Sequence, residues 1–143
     1  MCYTVYLSTN SPEDLTNQNT ELVTFEKYND EESEPVTKLL GNPNKWYVGS
    51  RAGCSCTFRH LTSYDLGFGE PVDWYKEGQD DINATLNLYD VIHLLVSAGY
   101  EVDLIDKWEG ANPKSFKLLE VSLKKVPPKA FRLYENHRFI INK

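Results

Sequence analysis

The sequence predicts an α+β domain: a mixed or mostly antiparallel sheet of five to six strands, one long amphipathic helix at about residues 80–98, and short helices. Three observations carry that expectation. Apolar and polar residues alternate with period two in segments near both ends of the chain. One segment, DDINATLNLYDVIHLLVSAG, carries a helical apolar stripe. The connections between are punctuated by Gly, Pro, Asn and Asp. A length of 143 residues fits a single domain over 1–143 and needs no disulfide or metal to fold.

Residues 2–8, CYTVYLS, set Tyr3, Val5 and Leu7 against Cys2, Thr4 and Tyr6, which is the period of a strand. Ser11, Pro12, Glu13 and Asp14 then spell a helix start: a cap, a proline at the first helical position, and acids at the positive end. Residues 22–28 read as a second strand. Residues 29–35, NDEESEP, hold four carboxylates that repel one another in any compact state, so they read as a solvated loop. Residues 36–40 supply a helical turn ending at Gly41. Residues 45–51 form a third strand, with 55–60 as its hairpin partner and Ala52 and Gly53 near the turn. Residues 61–79 have no clean period.

The long helix places Ile82, Leu86, Tyr89, Ile92 and Val96 on one stripe, widened by Leu88 and Leu95. Asp80 or Asp81 begins it, and Gly99 stands where a left-handed cap belongs. Tyr100 to Trp108 alternate as a strand, as do residues 116–123. Pro127 and Pro128 suit the first turn of a short helix over 127–135, with Asn136 as its left-handed cap. Residues 138–142 close as a strand, with a hairpin across Glu135–Asn136 as the rival arrangement.

Composition narrows the function classes. No apolar run approaches the roughly 18 residues that span a bilayer, and MCYTVYLSTN lacks the features of a signal peptide. Three cysteines make an odd count and no disulfide framework. A soluble, cytoplasmic protein with reduced thiols is therefore expected. Net charge is −6 but uneven: residues 1–113 hold seven basic and 19 acidic side chains, residues 114–143 eight basic and two acidic. The basic third is rich in Phe, Leu, Val and Ile and reads as folded against the acidic remainder. Nucleic acid is an unlikely partner, because an acidic chain repels phosphate everywhere but that face.

One stretch concentrates chemistry. GSRAGCSCTFRH, residues 49–60, holds Cys54, Cys56 and His60 with Arg51 and Arg59. Positive neighbours favour the thiolate, the form that attacks and binds metal, so Cys54, Cys56 and His60 are the candidate catalytic residues. The plainer alternative buries both small thiols on one strand face under a hairpin. Spacing argues against metal: C-x-C is one residue short of the usual zinc knuckle, and a second knuckle is missing. No metal site and no cofactor is expected. A phosphatase-type loop also fails, since Cys54 to Arg59 is C-x4-R. His93 reads as a boundary residue of the helix and His137 as a solvated turn residue.

The loop YDLGFGEPVDWY, residues 64–75, is the second candidate. Rings beside glycines can wall a pocket, or pin the loop to its own domain. With Arg51 and Arg59, the candidate binding residues are Tyr64, Phe68, Trp74 and Tyr75. No catalytic constellation is complete. The sequence therefore favours a non-enzymatic module that binds a protein or small ligand through this loop. The alternative is a thiol-dependent redox or metal-binding protein centred on Cys54 and Cys56.

Overall fold

Period-two segments pair in a computed structural model that describes residues 3–28, 35–50, 54–61, 67–69 and 77–143. Its strands are β1 (Tyr3–Thr9), β2 (Val23–Lys27), β3 (Asn44–Ser50), β4 (His60–Leu61), β5 (Val102–Trp108), β6 (Lys117–Ser122), β7 (Leu133–Tyr134) and β8 (His137–Asn142), with one α-helix, α1 (Gln79–Ser97). Six strands form one sheet in the order β2-β3-β1-β5-β8-β6, and β4 and β7 pair separately. All neighbours in the large sheet are antiparallel except β6 and β8, which run parallel. The fold is α+β with a mixed sheet.

Register explains why these strands choose each other. Trp46, Leu7, Leu104, Phe139 and Leu119 stand opposite one another in one row across five strands. All but Leu119 are buried, and α1 covers them with Leu88, Ile92 and Leu95. The next row reads Phe25, Val48, Val5, Asp106 and His137. An acid thus occupies a core-facing position, and its partner becomes the structural question. The opposite face is covered too: Tyr6, Ile105, Val36 and Leu40 form a second buried cluster under the 3-10 turn Pro35–Leu39.

The helix is held at both ends. Gly78 caps it without a side-chain bond, and Asp80 and Asp81 stand in the first turn, where the macrodipole is positive. Gly99 has φ 93, and the Tyr100 N–H reaches the Leu95 carbonyl at 3.1 Å, closing the C-terminus by the left-handed motif that glycine permits. Tyr89 Oη donates to the Val126 carbonyl at 2.9 Å and ties α1 to the turn after β6.

Several sequence expectations require correction. Residues 55–60 do not return as a hairpin on the third strand; only His60 and Leu61 are extended, and they pair in parallel with Leu133 and Tyr134. The helix expected at Ser11 starts later, as a 3-10 turn Leu15–Gln18 capped by Asp14, because the Asp14 carboxylate accepts from the Thr16 N–H. The helix expected over 127–135 is one 3-10 turn, Pro128–Ala130. The chain does bend at Glu135–Asn136, with Asn136 at φ 56, but no hairpin results: β7 and β8 join different sheets. His137 is 7% exposed rather than solvated. Of the expected α1 stripe, Leu88, Tyr89, Ile92, Leu95 and Val96 are buried, while Ile82 and Leu86 are only half-buried and Ala84, Thr85 and Val91 face in as well.

Candidate functional site

The segment 54–61 crosses the open end of the core-facing rows and is fastened there by side chains. Ser55 is fully buried. Its hydroxyl accepts the Val5 N–H at 2.9 Å and donates to the Val48 carbonyl at 2.5 Å, which extends the β1–β3 pairing by one inserted group. Ser50 reinforces this, since its N–H and hydroxyl both donate to the Cys54 carbonyl at 2.7 Å. With Ser55 pointing inward, Cys54 and Cys56 on either side are each partly exposed and carry no disulfide. Both thiols under a hairpin in the core was the alternative arrangement; the residue that fills that space is the serine.

His60 meets the core-facing acid. Its Nδ1 lies 2.7 Å from Asp106 Oδ2, and its Nε2 lies 2.6 Å from the Ser55 carbonyl. The side chains are 4% and 0% exposed. Tyr3 stacks flat on the imidazole, centroids 3.8 Å apart at 3°, and its hydroxyl donates to Glu135 at 3.0 Å. A carbonyl only accepts, so Nε2 carries a proton. Nδ1 is the ring nitrogen that meets the Asp106 carboxyl group. Burial pushes His60 downward, but the Asp106 charge and hydrogen bond, the Ser55 carbonyl and the charge of Asp81 outweigh it, so its proton is held above the ordinary value of 6.5. Asp81 in turn is raised, first by burial and then by Asp80 and Glu77, against the opposing pull of His60. The second oxygen of Asp106 is buried and has no hydrogen-bond partner among the described residues.

Arg59 points the other way and is spent as completely. Its Nε and Nη2 hold the two oxygens of Glu77 at 2.6 and 2.9 Å. Nη1 donates to the carbonyls of Lys129 and Phe131 at 2.8 and 3.0 Å, and Nη2 to that of Gly69 at 3.0 Å. All five guanidinium donors are engaged, and the side chains of Arg59 and Glu77 are 1% and 5% exposed. Phe68 stacks against Phe131 at 6.1 Å and meets Tyr134 edge-on at 5.6 Å. Arg132 and the Tyr134 hydroxyl both donate to the Gly67 carbonyl.

The nine sequence-derived site residues are therefore placed as follows. Cys54, Cys56 and His60 lie on one segment, with the imidazole nitrogens turned to Asp106 and Ser55. Arg59 bonds the carbonyl of Gly69, the residue after Phe68, and Phe68 packs on Phe131 and Tyr134. Arg51, Tyr64, Trp74 and Tyr75 lie outside the described residues. A catalytic base needs a nitrogen within reach of a substrate proton. Here both ring nitrogens are bonded within the chain and one ring face is covered by Tyr3. Among the described residues, no group of three or more His, Cys, Asp and Glu is placed to hold a metal ion. No described helix is long and apolar enough to cross a membrane.

Asp106, Ser55, Glu77 and Tyr3 are the partners of the candidate residues that motif reasoning missed. Asp106 had a signal: it continues the Val102–Leu104 phase of its strand, and an acid on an inward phase must find a cation or a donor. Ser55 and Glu77 had none, since their roles arise from contacts between distant segments. No family model, curated protein or solved structure matches the chain.

Proposed function

We propose that this chain is a soluble cytoplasmic binding module, without catalytic activity, that contacts a protein or small ligand through residues 64–75. One observation carries the reading. A single buried guanidinium, that of Arg59, bonds both Gly69 and Glu77, so the two residues that bracket 70–76 are held at a fixed spacing. Binding loops on a pre-set scaffold lose less freedom on association, and tyrosine and tryptophan give large contact area for few rotatable bonds.

The test compares the wild-type chain with Trp74→Ala and Tyr75→Ala. Captured partners are identified from the source cells, purified, and titrated against each protein. The expected result is a binary complex weakened at least about tenfold by either change, with melting unaltered. Identical affinities for wild type and both variants would remove the loop from the function.

A second reading keeps a specific observation: Cys54 and Cys56 are partly exposed on either side of an inward serine. That reading expects two thiols to react in the native protein, with a rate or metal content altered by chelator. Thiols silent until denaturant is added would end it.

A further inference from the structure

The two edges of the large sheet are treated differently. On β2, outward backbone groups are occupied by the preceding turn: the Phe25 N–H donates to Asn19 Oδ1 at 2.6 Å, the Val23 N–H to the Thr20 hydroxyl at 3.2 Å, and the Val23 carbonyl accepts the Thr20 N–H at 2.9 Å. Among the described residues, the edge on β6 has no such cover. The Lys117 N–H reaches the Asn136 carbonyl and the Leu123 N–H that of Asn142. This spacing, with the parallel register, turns the odd-numbered residues of β6 toward β8. Leu118, Glu120 and Ser122 therefore face outward. The Ser122 carbonyl is taken by the N–H groups of Lys125 and Val126. No hydrogen bond within the described residues reaches the N–H or carbonyl of Leu118 or Glu120, nor the Ser122 N–H.

Side chains around this edge show what fits it. Leu118 is 56% exposed, the most exposed large apolar residue described. Lys114 and Lys117 stand at one end of the strand and Lys124 and Lys125 at the other, all exposed, with Glu120 the lone acid between. The basic span 114–143 thus gathers charge at an open edge, while the remainder of the chain carries −12. Two copies joined edge to edge would bring these lysines together, which disfavours self-pairing.

We propose that β6 is a strand-addition site for an extended, acidic segment of a partner protein, with an apolar side chain set against Leu118. Backbone pairing to residues 118, 120 and 122 supplies the affinity, and the flanking lysines select for carboxylates. The site lies on an element separate from the aromatic loop and stands or falls independently of it.

The probe is a fluorescein-labelled eight-residue peptide alternating glutamate with valine, followed by anisotropy. The expected result is saturable binding that weakens with salt, strengthens with Glu120→Lys, and falls at least about tenfold when alternate peptide nitrogens are methylated. Glu120→Pro should abolish it, since its ring removes an outward donor and leaves the bonds to β8 intact. The Glu120→Lys and methylated-peptide arms decide the matter if the proline variant fails to fold. The proposal is overturned by equal binding of the methylated peptide, by absence of binding, by tighter binding of a single-stranded oligonucleotide, or by a wild-type dimer that Glu120→Lys disrupts.

Discussion

His60 shows how a titrating side chain can serve structure. The ring joins three elements, stacking on Tyr3 of β1, bonding Asp106 of β5, and returning to Ser55 of its own segment. Removing one member of a buried pair leaves the other charge without compensation. His60→Ala should therefore cost about 3–5 kcal/mol in urea unfolding. The pH dependence follows from the direction of the shift. Its folded proton affinity exceeds the unfolded one, so the stabilisation is complete below pH 6.5 and is lost as pH rises through the higher folded value. Unfolding free energy should accordingly fall on the alkaline side of 6.5. In Asp106→Asn that fall should shrink, because burial alone drives the imidazole toward neutrality. An equal slope in both proteins would show that His60 is not the group responsible. Arg59 makes the same argument without titration. Arg59→Lys keeps the charge but cannot span Glu77 and three carbonyls, so a clear loss of melting temperature is expected, where a surface exchange of these residues costs little.

At the scale of elements, α1 states the energetic rule most plainly. Leu88 is fully buried and Leu94 is 49% exposed on the same helix. Leu88→Ala should lose about 2–5 kcal/mol, while Leu94→Ala stays within roughly 0.5 kcal/mol, measured by chemical denaturation. The helix was legible because its apolar spacing, acidic first turn and Gly99 cap all agree. Which residues bound its buried face was not, because Ile82, Leu86 and Val91 are all apolar and only the packing against β5 and the turn after β6 selects among them. The strands were legible from alternation, and the pairing of β4 with β7 was not, since two residues carry no period. The cluster around His60 was half legible. Its residues stand in one conspicuous stretch, but sequence spacing suggested that the cysteines turn inward, whereas the hydroxyl between them has the stronger claim on the unpaired Val5 N–H and Val48 carbonyl. Polar satisfaction, rather than apolarity, decided which side chain was buried.

Across the whole molecule, sequence order and spatial order diverge. β1 pairs with β5, so that Thr9 stands opposite Val102, and β8, last in the chain, lies between β5 and β6. Neither arrangement can be reached by local steps. The central sheet waits for contacts between opposite ends of the sequence, and closing such loops costs entropy before any packing is returned. Folding should therefore take milliseconds to seconds in stopped-flow fluorescence, even though α1 can form far sooner. A sharper consequence concerns β8. It supplies Phe139 and Ile141 to the core and is the strand that holds β6 in the sheet. A chain ending at Asn136 loses both contributions together. It should show helical signal at most and no cooperative thermal transition, whereas removal of the exposed Lys143 alone should leave melting unchanged. A cooperative transition in the shorter chain would mean that β2, β3, β1 and β5 with α1 suffice to fold without the final strand.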